Sequence, residues 1–184
     1  MLEVLDIVLK WGNIKLTESS NTQLFISLMD FFGNIMQYMI DMEIQAEDFE
    51  MAVLLGTLCE RAGVNNKNLI IKVRKLIKMC YEVYGFKLCY RMIIDSGVKS
   101  KNLKSVAENL DEIADFICLH GVDCCTKKDF ALFLTCVDNS DKNVRENALK
   151  ALGEAYKLLG EDVWRLFGKD IVPKVKSMIE ARFK

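Results

Sequence analysis

Among 184 residues there is one proline, Pro173, and one histidine, His120. A β-sandwich or a βαβ protein needs many more turn signals than such a chain supplies, so the class expected is all-α. Acid–base catalysis most often recruits histidine, and the one present sits at a helix end. No glycine-rich phosphate loop occurs, since Gly153 and Gly160 are single helix or cap glycines. Neither charge sign prevails: 25 lysines and arginines meet 26 aspartates and glutamates, which gives no nucleic-acid footprint. The N-terminus lacks a charged segment followed by an apolar one. The most apolar stretch, Leu24 to Met42, is broken by Asp30, Asn34, Gln37 and Asp41 and makes a poor membrane span. The expectation is a cytosolic chain that is no enzyme, uses no cofactor, and partners neither nucleic acid nor membrane.

Seven cysteines, an odd number without a Cys-x-x-Cys pair, fit a reducing compartment and buried thiols. Cys118, His120, Cys124 and Cys125 have the donor chemistry of a zinc site. Cys118, however, falls at a core-facing helical position, and free cysteine is among the most buried residue types. The cluster is read as packing, with no metal. Asp111, Glu112 and Asp115 lie opposite the apolar stripe of their helix and are read as solvated. Phe130, Phe133, Tyr156, Trp164 and Phe167 recur at helical spacing and are read as core.

What the chain does have is repetition. Lys67-Asn68-Leu69, Lys101-Asn102-Leu103 and Lys142-Asn143-Val144 each open a helical pattern that stops at a glycine, Gly85, Gly121 and Gly160. In register, Val73, Ala107 and Ala148 fall together, then Leu76 with Ile77, Leu110 and Leu152. Cys80, Ala114 and Ala155 follow, then Val83, Ile117 and Leu159. The steps are helical and keep one stripe inward. A shorter apolar helix precedes each copy, at Phe49–Arg61, Phe86–Asp95 and Thr126–Val137. Helix pairs recurring at about forty residues are the signature of a HEAT-type α-solenoid.

Leu2–Ile14 and Leu24–Met42 read as a more divergent pair, with a capping box at Ser20-Asn21-Thr22-Gln23. Thr126 with Asp129 offers a second box, and Asp141 is a natural N-cap. This gives one domain, 1–184, with helix pairs at about 1–43, 44–85, 86–121 and 122–160. Helices near Glu161–Phe167 and Pro173–Phe183 form the tail, with Pro173 at a helix start. Leu24, Phe25, Leu28, Phe32, Ile35, Met36 and Met39 form one stripe, while Ile26, Phe31 and Ile40 lie off it. An apolar surface left open there suggests that the chain begins inside a larger array.

Stacked pairs would bring their internal turns, Lys15–Ser20, Gly63–Lys67, Ser96–Lys101 and Asp138–Lys142, to one edge. Lys15, Lys67, Lys99, Lys101, Lys142 and Arg145 would then form a basic row suited to an acidic partner. The plainer reading is a solvated row of lysines. Arg145 has a structural alternative, an ion pair with Asp138 or Asp141.

Asp141-Lys142-Asn143-Val144-Arg145 followed by Asn147-Ala148-Leu149 resembles the HEAT turn and second helix. From Asn147 through Tyr156-Lys157-Leu158-Leu159-Gly160-Glu161-Asp162-Val163-Trp164 to Gly168, and on to Ser177–Lys184, the chain is similar to the end of a TOG domain. It most resembles the last canonical TOG domain of the large microtubule polymerases, the ch-TOG and Mini spindles group. Leu5-Asp6-Ile7-Val8-Leu9-Lys10-Trp11 and Gly97-Val98-Lys99-Ser100-Lys101-Asn102 fit the same domain. The resemblance implies a HEAT-repeat paddle that is monomeric as a domain and binds αβ-tubulin or the microtubule lattice through its intra-repeat turns. It implies a cytoplasmic, cytoskeletal setting at microtubules and the spindle pole or centrosome. The residues implied as tubulin contacts are Lys15, Thr17, Lys67, Lys99, Lys101 and Lys142, with Arg145 beside them. It also implies a missing first repeat, whose turn carries an aromatic contact in many TOG domains; Trp11 lies on a helix instead. The alternative is a HEAT-type scaffold that binds another protein through its helix faces.

Overall fold

Short polar residues fix where the helices start. In the computed structural model, which describes residues 4–18, 21–45, 48–168 and 171–183, asparagine or aspartate caps four of them. Each cap oxygen takes up backbone N–H groups of the first turn that would otherwise lack partners. Helix α1 spans Leu5–Glu18, α2 Thr22–Asp41, α3 Asp48–Arg61, α4 Lys67–Tyr84 and α5 Phe86–Met92, which continues as a π-helical turn over Ile93–Val98. Then come α6 (Leu103–His120), α7 (Lys127–Val137), α8 (Lys142–Leu159), a 3-10 turn at Gly160–Asp162, α9 (Val163–Phe167) and α10 (Pro173–Phe183). The fold is an all-α, HEAT-repeat α-solenoid.

The chain divides into two compact units, Met1–Ser100 and Lys101–Lys184. In the first, α1, α3 and α5 with its π-helical turn pack in one row, and α2 and α4 in a second. In the other, α8 is the hub, packing on α6, α7 and α10. All three sequence copies keep their inward layers. Val73, Leu76, Ile77, Cys80 and Val83 are buried, as are Ala107, Leu110, Ala114 and Ile117, and Ala148, Leu152 and Ala155. Leu159 is half-buried. The C-terminal aromatics form a second cluster, in which Phe130 meets Phe133 and Phe167, and Tyr156 stacks on Phe183 at 4.2 Å.

Several expectations need correction. The Lys-Asn signature does not hold one structural position. Asn66 and Asp141 cap α4 and α8 from just before it, whereas in the second copy Asn102 of the signature is itself the cap. Leu103 is therefore 41% exposed, while Leu69 and Val144 are buried. Asn21 caps α2, accepting from the Gln23 and Leu24 N–H groups, so the box does not begin at Ser20, which lies outside the described residues. Thr126 and Asp129 do form their reciprocal box. Helix α1 runs on to Glu18, and the π-helical turn absorbs Ser96 and Gly97, so both turns are shorter than their spacing implied. Cys118 is exposed, because it lies beyond Ile117, the last inward layer of α6. Glu112 is 1% exposed, and Asp111 and Asp115 are taken up by Lys150, so these carboxylates are not a solvated face.

Leu24 is 40% exposed and Phe31 43%, because α2 turns Phe25, Leu28, Met29, Phe32, Met36 and Met39 inward instead. Val4, just before α1, and Ile7, Trp11 and Ile14 on it form a second exposed stripe at spacings of one helix face. No helix among the described residues is long and apolar enough to cross a membrane.

Candidate partner-binding edge

Hydrogen bonds between successive pairs set the register of each unit. In the first unit, Thr57 donates to Asn13 Oδ1 and the Arg61 guanidinium donates to the Thr17 carbonyl. Each bond spans 44 residues, so α3 runs parallel to α1 and one repeat along. Lys72 of α4 likewise pairs with Asp30 of α2, across 42 residues. Ser96 of the π-helical turn lies beside Gly56 of α3, which carries Lys99 to the end of α3 that also bears Arg61. Lys15, Thr17, Lys67 and Lys99 are thus brought to one edge of this unit.

The second unit repeats the logic. Asn147 Nδ2 donates to the Ala107 carbonyl at 2.8 Å, 40 residues back, and Lys150 Nζ reaches Asp111 at 2.6 Å and Asp115 at 3.1 Å. Helices α6 and α8 therefore lie parallel, with Lys101 and Lys142 at the same N-terminal end. Burial alone would lower the pKa of the Lys150 ammonium, but the two carboxylates outweigh it and raise that pKa. The bridge holds the two helices in register.

The seven residues singled out from sequence divide by what already occupies them. Lys67, Lys101 and Lys142 are exposed and have no carboxylate partner among the described residues. Lys99 pairs with Asp95 at 2.6 Å, and Lys15 approaches Glu18 at 3.9 Å. Lys15 and Thr17 lie in the last turn of α1, not in the loop, and the Thr17 hydroxyl donates to the Asn13 carbonyl. Arg145 does not pair with Asp138 or Asp141. Its Nη1 donates to the Asn139 and Ser140 carbonyls at 2.9 and 2.8 Å, because Asp141 is committed to the helix cap and Asp138 to Lys174. Arg145 therefore ties its own turn together.

Sequence reasoning missed Arg61, which links the C-terminal end of α3 to that of α1 through the Thr17 carbonyl. Its signal was an arginine closing a helix two residues before Gly63. His120 packs on Phe116 at 4.8 Å, and no three metal-ligating side chains converge among the described residues.

No family model matches the chain. It is 31% identical over 185 residues to Protein MOR1 of Oryza sativa subsp. japonica, covering all of this chain and 9% of that protein. The chain thus spans about a tenth of the length of the curated relatives it matches. It superposes with a TM-score of 0.91 on a solved structure described as "TOG domain structure from C.elegans Zyg9", at 25% identity, over 99% of this chain and 68% of that one. A second structure, described by the words "TOG-tubulin binding specificity promotes microtubule dynamics and mitotic spindle formation", gives a TM-score of 0.92 at 24% identity, over 98% and 68%. Helices that run parallel from one pair to the next within each unit, starts capped by asparagine or aspartate, and likeness along the whole chain lead to one family: the chain is a TOG domain of the ch-TOG and Mini spindles group.

Proposed function

We propose that this chain is a tubulin-binding module of a microtubule polymerase or spindle-pole microtubule regulator, engaging αβ-tubulin or the lattice through its intra-pair turns. The observation that carries this reading is the row of exposed, uncompensated lysines at the turn end of each unit: Lys67 in one, Lys101 and Lys142 in the other. Lysine there acts as a point charge toward an acidic surface, steering encounter and fixing register. Likeness to structures whose descriptions name TOG domains and tubulin supports the choice of partner. The domain acts as a monomeric binding module, with no catalytic role and no cofactor, on the cytoskeleton and spindle. In a longer array several such modules would add avidity.

The exposed stripe Val4, Ile7, Trp11 and Ile14 offers a seat for a further helix pair of the same solenoid type. The same stripe favours the second reading, a scaffold that binds another protein through helix faces.

Size-exclusion and co-sedimentation with αβ-tubulin decide between the two. Lys101→Glu with Lys142→Glu should abolish tubulin binding and leave a helix-face partner untouched. Retained tubulin binding in that double variant refutes the turn-edge reading.

A further inference from the structure

Between the N-terminal end of α2 and the α3–α4 turn of the first unit lies a cavity of about 360 Å³. Phe25 and Leu69, both buried, form its floor, and Thr22, Arg61, Val64 and Asn65 stand around its rim. Arg61 is half-buried. The Thr17 carbonyl accepts from its Nη2, and no carboxylate among the described residues approaches it. A guanidinium has five N–H donors in a planar fork, so one carbonyl leaves most of them to water. A cation partly withdrawn from water gains most from an anion that accepts two parallel bonds.

We propose that this notch receives a glutamate side chain from an acidic segment of the partner, its carboxylate on Arg61 and its methylenes against Phe25 and Leu69. The choice of glutamate follows from the two halves of the cavity. The rim offers an unmatched planar cation, and the floor offers apolar surface that a free inorganic anion could not use. Lys67, exposed as the first residue of α4, directly follows Asn65 and Asn66 of the cavity wall and adds positive charge beside it. The other polar side chains there are less available, because the Asn21 and Asn66 oxygens already cap α2 and α4. The proposal rests on the partner being acidic, and it adds Arg61 and the notch to the lysine row as a place where one residue of that partner is held.

The test is an NMR titration of the arginine Nε–Hε resonances with a hexaglutamate peptide, a hexaglutamine peptide and inorganic phosphate, alongside tubulin binding. The Arg61 resonance should move with hexaglutamate and stay still with hexaglutamine. Thr22→Glu, in the first turn of α2, should place a competing carboxylate at the rim and weaken peptide binding about tenfold, the size of one charged hydrogen bond. That variant should keep its thermal midpoint, because a carboxylate suits a helix N-terminus. Arg61→Lys, which keeps the charge but loses the fork, should weaken binding to a similar degree. An unmoved Arg61 at saturating peptide, wild-type affinity in Thr22→Glu, or phosphate shifting Arg61 as strongly as the peptide would each overturn the assignment. Peptide binding lost in Thr22→Glu by a chain that never binds tubulin would uphold the notch and remove tubulin as its partner.

Discussion

Two glycines inside helices should respond to the same substitution with opposite signs. Alanine in place of glycine in a helix interior gains about 1 kcal/mol from propensity alone. At Gly33 an added Cβ would meet nothing within 4 Å, so Gly33→Ala should keep most of that gain. At Gly12 the Cβ would sit 1.9 Å from Phe32 Cζ and 2.7 Å from Cε2. Carbon atoms rest at about 3.5–4.0 Å, and Phe32 is fully buried on α2, with no solvent side to swing toward. Overpacking of this kind costs about 1–3 kcal/mol, and so short a contact belongs at the upper end. Gly12→Ala should therefore lose about 1–2 kcal/mol net, leaving the two variants about 2–3 kcal/mol apart. Urea unfolding followed by circular dichroism measures both. A double-mutant cycle with Phe32→Leu isolates the cause, since the penalty at Gly12 should shrink once the ring is gone. Wild-type stability in Gly12→Ala, or an undiminished penalty beside Phe32→Leu, would refute the close approach of α1 and α2 as the reason for this glycine.

Thiol labelling at pH 8 should modify exposed Cys118 at once and reach Cys80 and Cys89 only in denaturant, read by mass spectrometry of the peptides. Burial pushes the Cys89 thiol up to about 12 and Cys80 up as well, so neither supplies thiolate while folded. The Lys150 bridge predicts an alkaline effect. With its pKa raised in the fold, Lys150 contributes fully below the ordinary ammonium value of 10.5 and loses that contribution as pH climbs through the folded value. Lys150→Met should thus be less stable than wild type at neutral pH, and the gap should close above about pH 10.5 in thermal melts.

The parts of the fold legible in sequence were those set by one helix at a time. Periodicity found the inward layers from Val73 to Val83 and from Ala148 to Ala155 because the spacing of an apolar stripe is written within one helix. Asp141 and Thr126 declared their caps because short polar side chains close local rings. What escaped depended on neighbours. Cys118 fits the stripe of α6 yet is exposed, because it lies one residue beyond Ile117, the last buried layer of that helix. Asp111 and Asp115 looked solvated because nothing in their own helix reveals Lys150, 39 and 35 residues further along. The repeat signature misled at Leu103, where the same letters start a helix two residues later. The basic edge was visible as lysines in turns, but Arg61 was not, since its role is a bond to a carbonyl 44 residues away.

The same distinction orders the edge residues by what each can give a partner. A charge reversal removes only the interaction that the side chain has to offer, and a lysine already facing a carboxylate offers less. Lys101 and Lys142 have no such partner among the described residues, whereas Lys99 meets Asp95, which Arg91 also approaches at 3.4 Å. If the turn edge meets an acidic surface, Lys101→Glu should weaken tubulin binding several-fold more than Lys99→Glu, and added salt should narrow the difference. Arg145→Glu should also lower binding, for another reason. It frees the Asn139 and Ser140 carbonyls and loosens the turn that presents Lys142, so it should lower the thermal midpoint as well. Lys142→Glu removes no internal bond and should leave the midpoint in place. Titrating tubulin against the four variants, with a melt for each, separates charge from scaffold. Equal losses at Lys99 and Lys101, with every midpoint unchanged, would mean that local pairing does not govern what this edge presents.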